Sequence, residues 1–339
     1  LGRRDVIKGG LALLAATAAR ALPGCSSSGS NADGSSSGAS SSSGGMVDAG
    51  PPTRLVSRIA EIGALGEPDA NGLRLPPGFT STIIAESGIV VPNSGYRWHP
   101  APDGGATFAM PDGGWVYVSN SEVPVSGGVG AVRFDAQGNI LNAYPILQDS
   151  FVNCAGGATP WGTWLSCEEA PWGRVWECDP LGVEPARQLP RLGLFQHEAA
   201  GNVTWVAVPD PVQANNVATR LQVPESTVFR GGEGLWFFED KVFLSTKGDN
   251  RIWELDVAAQ RIRVLYDRAT HPTPFLSGVD NVVVSASGDV LVAEDGGDME
   301  ICAILQDGSL VSLLQVTGQN QSEITGPAFD PSGTRLYFS

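Results

Sequence analysis

Residues 278–293 read GVDNVVVSASGDVLVA and decide the fold. In this stretch an apolar strand, a turn that contains Gly and Asp, and a second apolar strand follow one another, as in a β-hairpin. From about Leu75 onward the chain shows no helical periodicity. The arrangement recurs in three more segments, HEAAGNVTWVAV (197–208), GEGLWFFEDKVFLS (232–245) and ITGPAFDPSGTRLYFS (324–339). The sequence therefore predicts an all-β protein built from repeated strand pairs.

An acidic residue stands close to the start of each repeated segment. The four acids are Glu198, Glu233, Asp280 and Glu323, and 35, 47 and 43 residues separate them. A period of roughly 40–50 residues is typical of the blades of a β-propeller. On that period, residues 75–339 would hold about six blades, the last of them truncated. A β-sandwich would not repeat its turns at this interval, and a β-helix has a much shorter period.

The propeller fold gives these acids a meaning. The innermost strand of each blade lines the central channel, so residues at the same place in successive blades point to the same axial region. Carboxylates that close repel one another unless protons or cations neutralise them. A single acid of this kind is more simply a turn residue in water, but four in register favour a metal site.

Four predicted strands resemble one another in the residues at their C-terminal ends. Each is an alternating apolar strand that ends in Ser or Ala and then a polar or metal-capable residue: VYVSNSE (116–122), TWLSCEE (163–169), VFLSTKGD (242–249) and VLVAEDGG (290–297). In this alignment one slot is shared by Asn120, Cys167, Thr246 and Glu294.

The composition agrees with many short strands and restricts the partners. Gly (43) and Pro (24) are abundant among the 339 residues, whereas charged residues make up only 17%. This balance favours turns over long helices. The formal net charge of −15 argues against nucleic acid as a partner. It suits cation binding, and equally an acidic extracellular protein that its charge keeps soluble.

The N-terminal residues resemble an export signal. Arg3 and Arg4 precede a modest apolar run that ends near Cys25, which is the layout of a twin-arginine signal over residues 1–25. The LPGC sequence that ends at Cys25 resembles a lipobox, so a periplasmic or cell-surface lipoprotein and a plainly secreted protein are both open. Residues 26–50 form a Ser/Gly-rich tether, 51–74 a linker, and 75–339 the propeller domain. The twin-arginine route carries folded proteins, often with a cofactor already bound.

Two interpretations remain open for the cysteines beyond Cys25. Cys154, Cys167, Cys178 and Cys302 are enough for two disulfides in an oxidising compartment. Alternatively, Cys167 supplies a thiolate to a metal, with Glu168 beside it as a harder ligand.

Five motifs behind the signal resemble the PhoX-type alkaline phosphatase family. They are NCAGGATPWGTWLSCEE (153–169), HEAAG (197–201), RGGEGLWF (230–237), GDNRIWELD (248–256) and SEITGPAFDPSGTRLYF (322–338). The resemblance implies a six-bladed propeller with iron and calcium in its axial site. It also implies a phosphoric monoester hydrolase that works outside the cytoplasm on small-molecule phosphoesters.

The resemblance also implies roles for individual residues. Cys167 would be the iron-ligating thiolate, and Arg230 would hold the substrate phosphate. The expected carboxylate ligands are Glu198, Glu233, Asp280, Glu323, Glu122 and Glu168. The expected partners include no nucleic acid and no membrane beyond a lipid on Cys25, and a closed propeller predicts a monomer.

Two other interpretations keep the propeller and change its function. GEGLWF (232–237) and VDNVVVSASGDVLVAEDG (279–296) are also similar to calcium-dependent gluconolactonase-like propellers, where one axial calcium polarises a lactone. A cell-surface binding propeller with structural calcium is the non-enzymatic alternative, and it predicts that Cys167 is disulfide-bonded.

Overall fold

A computed structural model describes residues 56–339, except 160, 171–172, 190–200, 203–205, 211–213, 216, 218–220 and 320–321. The predicted signal, the tether and the candidate ligand Glu198 lie outside the described residues. Within the described part of the chain, no helix is long and apolar enough to span a membrane. After a 3₁₀ turn at Ile59–Glu61, the described residues form mainly strands, turns and loops.

The described residues form twenty short strands. In chain order they are β1 (Leu73–Arg74), β2 (Pro102–Ala109), β3 (Trp115–Ser121), β4 (Gly127–Phe134), β5 (Ile140–Ser150), β6 (Asn153–Ala158), β7 (Trp164–Glu168), β8 (Val175–Cys178), β9 (Arg187–Gln188), β10 (Gly201–Asn202), β11 (Gly232–Phe238), β12 (Lys241–Thr246), β13 (Arg251–Asp256), β14 (Arg261–Asp267), β15 (Val279–Val284), β16 (Val290–Glu294), β17 (Glu300–Ile304), β18 (Leu310–Val316), β19 (Ala328–Phe329) and β20 (Leu336–Tyr337).

These strands form four antiparallel blades. Blade 1 is β2–β5, blade 2 is β6–β9, blade 3 is β11–β14 and blade 4 is β15–β18. The short strands β10 and β1 pair with the outer strands of blades 3 and 4. A separate hairpin, β19–β20, packs its first strand against β2. The predicted all-β propeller is confirmed.

The predicted number of six blades is wrong, because the described residues form four. The prediction divided the length of the domain by the period, but in two stretches the described residues form no blade. Residues 75–101 contribute one isolated bridge, Val90 to Arg97, and otherwise turns and loops. Between 189 and 231, the described residues contribute only β10, which extends blade 3. The hairpin β19–β20 has two strands where a blade has four.

The inner strands β2, β6, β11 and β15 meet at the centre and share an irregularity. Each carries a register shift after its first paired residue, as between Pro102 and Gly105 in β2. Such bulges bend a strand and re-aim its side chains. Glycine permits the close approach, since a Cβ on Gly234 would lie 2.5 Å from the Val282 backbone nitrogen. The bulged residues Asp103, Cys154, Glu233 and Asp280 therefore occupy equivalent places.

Apolar side chains fill the space between neighbouring blades. Val118 and Ile146 of blade 1 pack with Trp164 of blade 2, whose side chain is almost fully buried. Phe243 of blade 3 packs with Val292 of blade 4 in the same way. Full burial of such side chains stabilises a fold by about 1.5–3 kcal/mol each. This packing fixes the blades, and with them the inner strand ends.

Candidate metal centre

The second strand of each blade ends beside the bulge of the first. Ser121, Glu168, Thr246 and Glu294 are the last paired residues, opposite the first residues of β2, β6, β11 and β15. The residue that follows each of them reaches the same end of the channel. With the bulged residues and one residue before β19, these make an axial ring, which consists of Asp103, Cys154, Glu233, Asp280, Glu122, Glu169, Lys247, Asp295 and Glu323.

One group of ligand atoms lies between blades 1 and 2. Asp103, Glu122 and Cys154 each place a ligand atom within 4.8 Å of the other two. Asp103 is buried, with only 3% of its surface exposed, and its Oδ1 accepts a 2.6 Å hydrogen bond from the Gly104 backbone N–H. A thiol beside two carboxylates is a donor set for a transition metal. We call this the thiol cluster.

A second group lies between blade 4 and the hairpin. Asp280, Asp295 and Glu323 also place one ligand atom each within 4.8 Å of one another. A backbone bridge between Asp295 and Glu323 draws the two segments together. Three carboxylates form a donor set for a hard cation such as Ca²⁺. We call this the carboxylate cluster.

The ring is crowded with negative charge. Burial, and then the charge of Asp280, raise the pKa of Glu233 to about 9. Burial and Glu122 raise the pKa of Glu169 to about 8. Desolvation and Asp280 raise the pKa of Glu323 to about 7, although much of this residue is open to solvent. Without a cation the ring retains protons, so it is suited to bind one.

Electrostatic repulsion between their acidic residues also couples the two clusters. Burial, followed by the charges of Asp280 and Glu323, raises the pKa of Asp103 well above its usual range. Burial and Asp103 raise the pKa of the Cys154 thiol. Residues of the carboxylate cluster thus act on residues of the thiol cluster, and the two adjoin in one site.

The structure brings most of the predicted carboxylates together. Glu122, Glu233, Asp280 and Glu323 all belong to the ring. Glu168 does not, because its buried carboxylate accepts hydrogen bonds from the backbone N–H groups of Phe151 and Arg174 and from the Trp176 indole. These bonds hold blade 2 together and leave Glu168 outside both clusters.

Cys167 also lies outside both clusters, and Cys154 stands where the sequence placed Cys167. The aligned strand endings placed Cys167 with Thr246 and Glu294, and this is wrong by one residue, because the observed register makes Glu168 their equivalent. Cys167 is instead equivalent to Asn120 and Ser245, whose side chains donate to backbone carbonyls of the next inner strand. This slot therefore faces a neighbouring blade. Cys167 is 8% exposed, and burial raises the pKa of its thiol to about 12.

The cysteines form no disulfide within the described residues. Cys154, Cys167, Cys178 and Cys302 are all free thiols. The pairing that the binding-propeller interpretation requires of Cys167 is therefore not found among them.

Arg230 lies near the ring. Its backbone carbonyl accepts a 2.8 Å hydrogen bond from the Gly248 N–H, while Lys247 donates to the Gly231 carbonyl at 2.8 Å. These bonds place Arg230 at the same end of blade 3 as Glu233 and Lys247. Arg230 is exposed.

Five ring residues were missed by sequence reasoning: Asp103, Cys154, Glu169, Lys247 and Asp295. A weak signal for the first two exists, since DGG (103–105) and CAGG (154–157) resemble the GEG of 232–234. The other three follow directly after the slot of Glu168, Thr246 and Glu294. Only the register of the sheets shows that they reach the channel.

A model of the family described as alkaline phosphatase PhoX matches residues 139–176, which confirms the resemblance found in the sequence. The matched segment includes Cys154, Cys167 and the whole inner strand of blade 2. No curated protein matches this chain in sequence.

Solved structures share the fold at low sequence identity. Pseudomonas fluorescens PhoX in complex with vanadate, a transition state analogue, is 14% identical with a TM-score of 0.58, over 83% of this chain and 93% of that chain. A Bacteroides thetaiotaomicron protein of unknown function is 10% identical, with a TM-score of 0.46 over 73% and 70%. A calcium-binding protein, regucalcin, from Agrobacterium tumefaciens is 13% identical, with a TM-score of 0.31 over 66% and 63%. The first likeness supports the propeller fold, and the other two are too distant to add to it.

Proposed function

We infer that this chain is an alkaline phosphatase of the PhoX type, a phosphoric monoester hydrolase that works at the axial ring with bound metal ions. One observation carries the proposal: the segment that matches the PhoX family supplies Cys154, and Cys154 lies within 4.8 Å of Asp103 and Glu122. The family likeness and the clustered ligands were found independently, and they point to the same place in the fold.

The donor atoms fit the two metals that the resemblance implies. The thiol cluster combines one soft ligand with two hard ones and would hold iron. The carboxylate cluster offers only oxygen and would hold calcium. Metal ions in such a site polarise a phosphate ester and neutralise the charge that develops on its oxygens.

The residues of the chain supply the rest of the chemistry. Arg230, at the channel mouth, would bind two non-bridging oxygens of the phosphate through its guanidinium. Glu169 lies beside Glu122, and their mutual hydrogen bond keeps a proton in this part of the ring when no metal is bound. The buried inner strand ends hold the ligands in place before substrate arrives, as efficient catalysis requires.

The location and the substrates of the protein complete the proposal. The twin-arginine signal predicts export after folding, either as a lipoprotein anchored through Cys25 or as a periplasmic or secreted monomer. The substrates would be small-molecule phosphomonoesters. The strongly acidic composition argues against nucleic acid.

The test uses the full chain exported through its own signal. Iron and calcium per chain are measured, followed by hydrolysis of p-nitrophenyl phosphate and of a small lactone before and after chelation. We expect both metals, phosphate ester hydrolysis and its loss on chelation. Calcium without iron, together with lactone hydrolysis, would replace this proposal with a gluconolactonase-like function. Absence of both activities in the metal-loaded protein would favour a binding propeller.

A further inference from the structure

Lys247 is the one basic residue of the axial ring. The residue that follows the second strand is Glu122 in blade 1, Glu169 in blade 2 and Asp295 in blade 4, whereas in blade 3 it is Lys247. The register is the same in all four blades. A cation therefore stands at a position where the other blades supply a carboxylate.

The ammonium group of Lys247 lies in the carboxylate cluster. Its Nζ is 3.0 Å from Asp280 Oδ2 and forms a second ion pair with Asp295 Oδ2. Two of the three ligands of that cluster are thus already paired with a positive charge. Burial alone would lower the pKa of Lys247, but Asp280 and Glu233 outweigh it and raise this pKa, so the side chain remains charged.

The backbone fixes the place of this side chain. The Lys247 N–H donates to the Gly231 carbonyl, and the Gly248 N–H donates to the Arg230 carbonyl, both at 2.8 Å. Gly248 permits this contact, since a Cβ there would lie 2.6 Å from the Arg230 carbonyl oxygen. Lys247 therefore starts from a tight turn that aims it at the ring, and only 24% of its side chain is exposed.

Because Lys247 lies in the carboxylate cluster, the two clusters differ in charge. Fully ionised, the carboxylate cluster has three negative charges and the Lys247 ammonium. The thiol cluster has Glu169 as its neighbour, whereas Lys247 forms its ion pairs with acids of the carboxylate cluster. A divalent ion that enters the carboxylate cluster must displace the ammonium from Asp280 and Asp295, or share these ligands with it.

We propose that Lys247 is a built-in cation that competes with a divalent ion for Asp280 and Asp295, so that the carboxylate cluster binds calcium weakly and reversibly. Removal of this charge converts the cluster into a tight calcium site. The proposal deepens the proposed function and rests on its metal centre, but not on phosphate ester hydrolysis.

The experiment measures calcium binding to the full, chelator-treated protein by titration calorimetry. Lys247→Met removes the charge and keeps much of the length of the side chain, and Lys247→Arg keeps the charge. Lys241→Met is the matched control, because Lys241 pairs with Glu254 at 3.0 Å at the opposite end of β12. We expect Lys247→Met to bind one calcium at least about tenfold more tightly than the wild type, and the other two variants to bind it like the wild type.

Thermal unfolding supplies a second measurement. Without metal, Lys247→Met loses the ion pairs with Asp280 and Asp295, so we expect it to melt at a lower temperature than the wild type. Calcium should then raise its melting temperature by more than it raises that of the wild type. A Lys247→Met chain that folds only in the presence of calcium supports the same conclusion.

The outcomes separate this proposal from the phosphatase proposal. Calcium affinity that is equal in Lys247→Met and wild type, or lower in Lys247→Met, overturns the role of Lys247. Hydrolysis of p-nitrophenyl phosphate by the wild type after iron and calcium are restored still tests the phosphatase. Tighter calcium binding in Lys247→Met without hydrolysis in any metal-loaded preparation keeps the role of Lys247 and overturns the phosphatase. No calcium binding in any variant overturns both.

Discussion

The thiol cluster and the carboxylate cluster are built from equivalent strand ends of different blades. Each takes one ligand from the bulge of an inner strand, Asp103 or Asp280, and one from the residue after a second strand, Glu122 or Asp295. They differ in the third ligand, which is the Cys154 thiol in one and the Glu323 carboxylate in the other. The fold thus sets where a ligand stands, and the residue at that position sets which ion it prefers.

A second difference lies in charge compensation. Lys247 pairs with two acids of the carboxylate cluster, whereas beside the thiol cluster burial, and then the charge of Glu122, raise the pKa of Glu169 to about 8. Acids that are already paired with a lysine bind an external cation less strongly, because the ion must displace an existing ion pair. We therefore expect the carboxylate cluster to release its metal more readily than the thiol cluster does.

The largest expected effect separates two cysteines of blade 2. Cys154→Ser removes the thiolate from the thiol cluster, so iron content should fall and kcat/KM for p-nitrophenyl phosphate should drop at least about 100-fold. Cys167→Ser is the matched control. It changes a buried thiol that faces a neighbouring blade, so we expect some loss of stability with iron and activity retained. Iron lost from the Cys167 variant and kept by the Cys154 variant would reverse this assignment.

The next largest effect is a loss of iron from one cluster and of calcium from the other. Asp103→Asn should lower iron content, and Asp280→Asn should lower calcium content, each with a loss in kcat/KM of about 10–100-fold. Both residues are buried and sit at equivalent bulges, so the substitutions perturb the fold to a similar degree. Elemental analysis of the two purified variants provides the measurement. Loss of the same metal from both would show that the ring is a single site rather than two clusters.

A smaller effect is the pH dependence of stability, which follows from the protons that the metal-free ring retains. The pKa values of Glu233, Glu169 and Glu323 rise from 4.5 to about 9, 8 and 7. Between pH 4.5 and 9 the folded chain therefore binds more protons than the unfolded chain, and the free energy of unfolding falls as pH rises through this window. We expect the melting temperature in chelator to be lower at pH 9 than at pH 5, by roughly 5 °C or more.

Bound metal should remove most of this pH dependence, because ions favour the deprotonated carboxylates. The same melts with iron and calcium present provide the control. Glu233→Gln should flatten the curve of the metal-free chain, since its side chain no longer titrates. A metal-free melting temperature that rises from pH 5 to pH 9 would contradict the crowding of acids in the ring.

The sequence predicted the propeller because strand alternation and turns repeat along the chain, and it predicted Glu233, Asp280 and Glu323 because they repeat with the strands. The number of blades could not be read from the period. A segment such as HEAAGNVTWVAV (197–208) repeats the pattern of a blade, yet its described residues contribute only a short edge strand. Whether a repeated segment becomes a blade depends on the tertiary contacts that it makes.

Cys154 was missed and Cys167 was chosen for a physical reason. The bulge in β6 places Cys154 at the ring, and a bulge changes which residue reaches the axis without leaving a distinct mark in the sequence. Cys167 stands next to two glutamates, but it precedes the ring residue Glu169 by two positions and faces a neighbouring blade. The resemblance pointed to the segment that contains both cysteines, and only the observed register shows that Cys154, and not Cys167, lies with Asp103 and Glu122.

The smallest effect concerns the two adjacent glutamates, Glu168 and Glu169. Glu168→Gln weakens hydrogen bonds to Phe151, Arg174 and Trp176, so we expect a loss of about 1–3 kcal/mol in the free energy of unfolding with metal content unchanged. Glu169→Gln removes a crowded acid, so the metal-free chain should become slightly more stable at pH 9 while it binds metal less tightly. Denaturant unfolding at pH 9 and elemental analysis measure both variants. If the two substitutions had equal effects on metal content, the boundary of the axial ring would have to include Glu168.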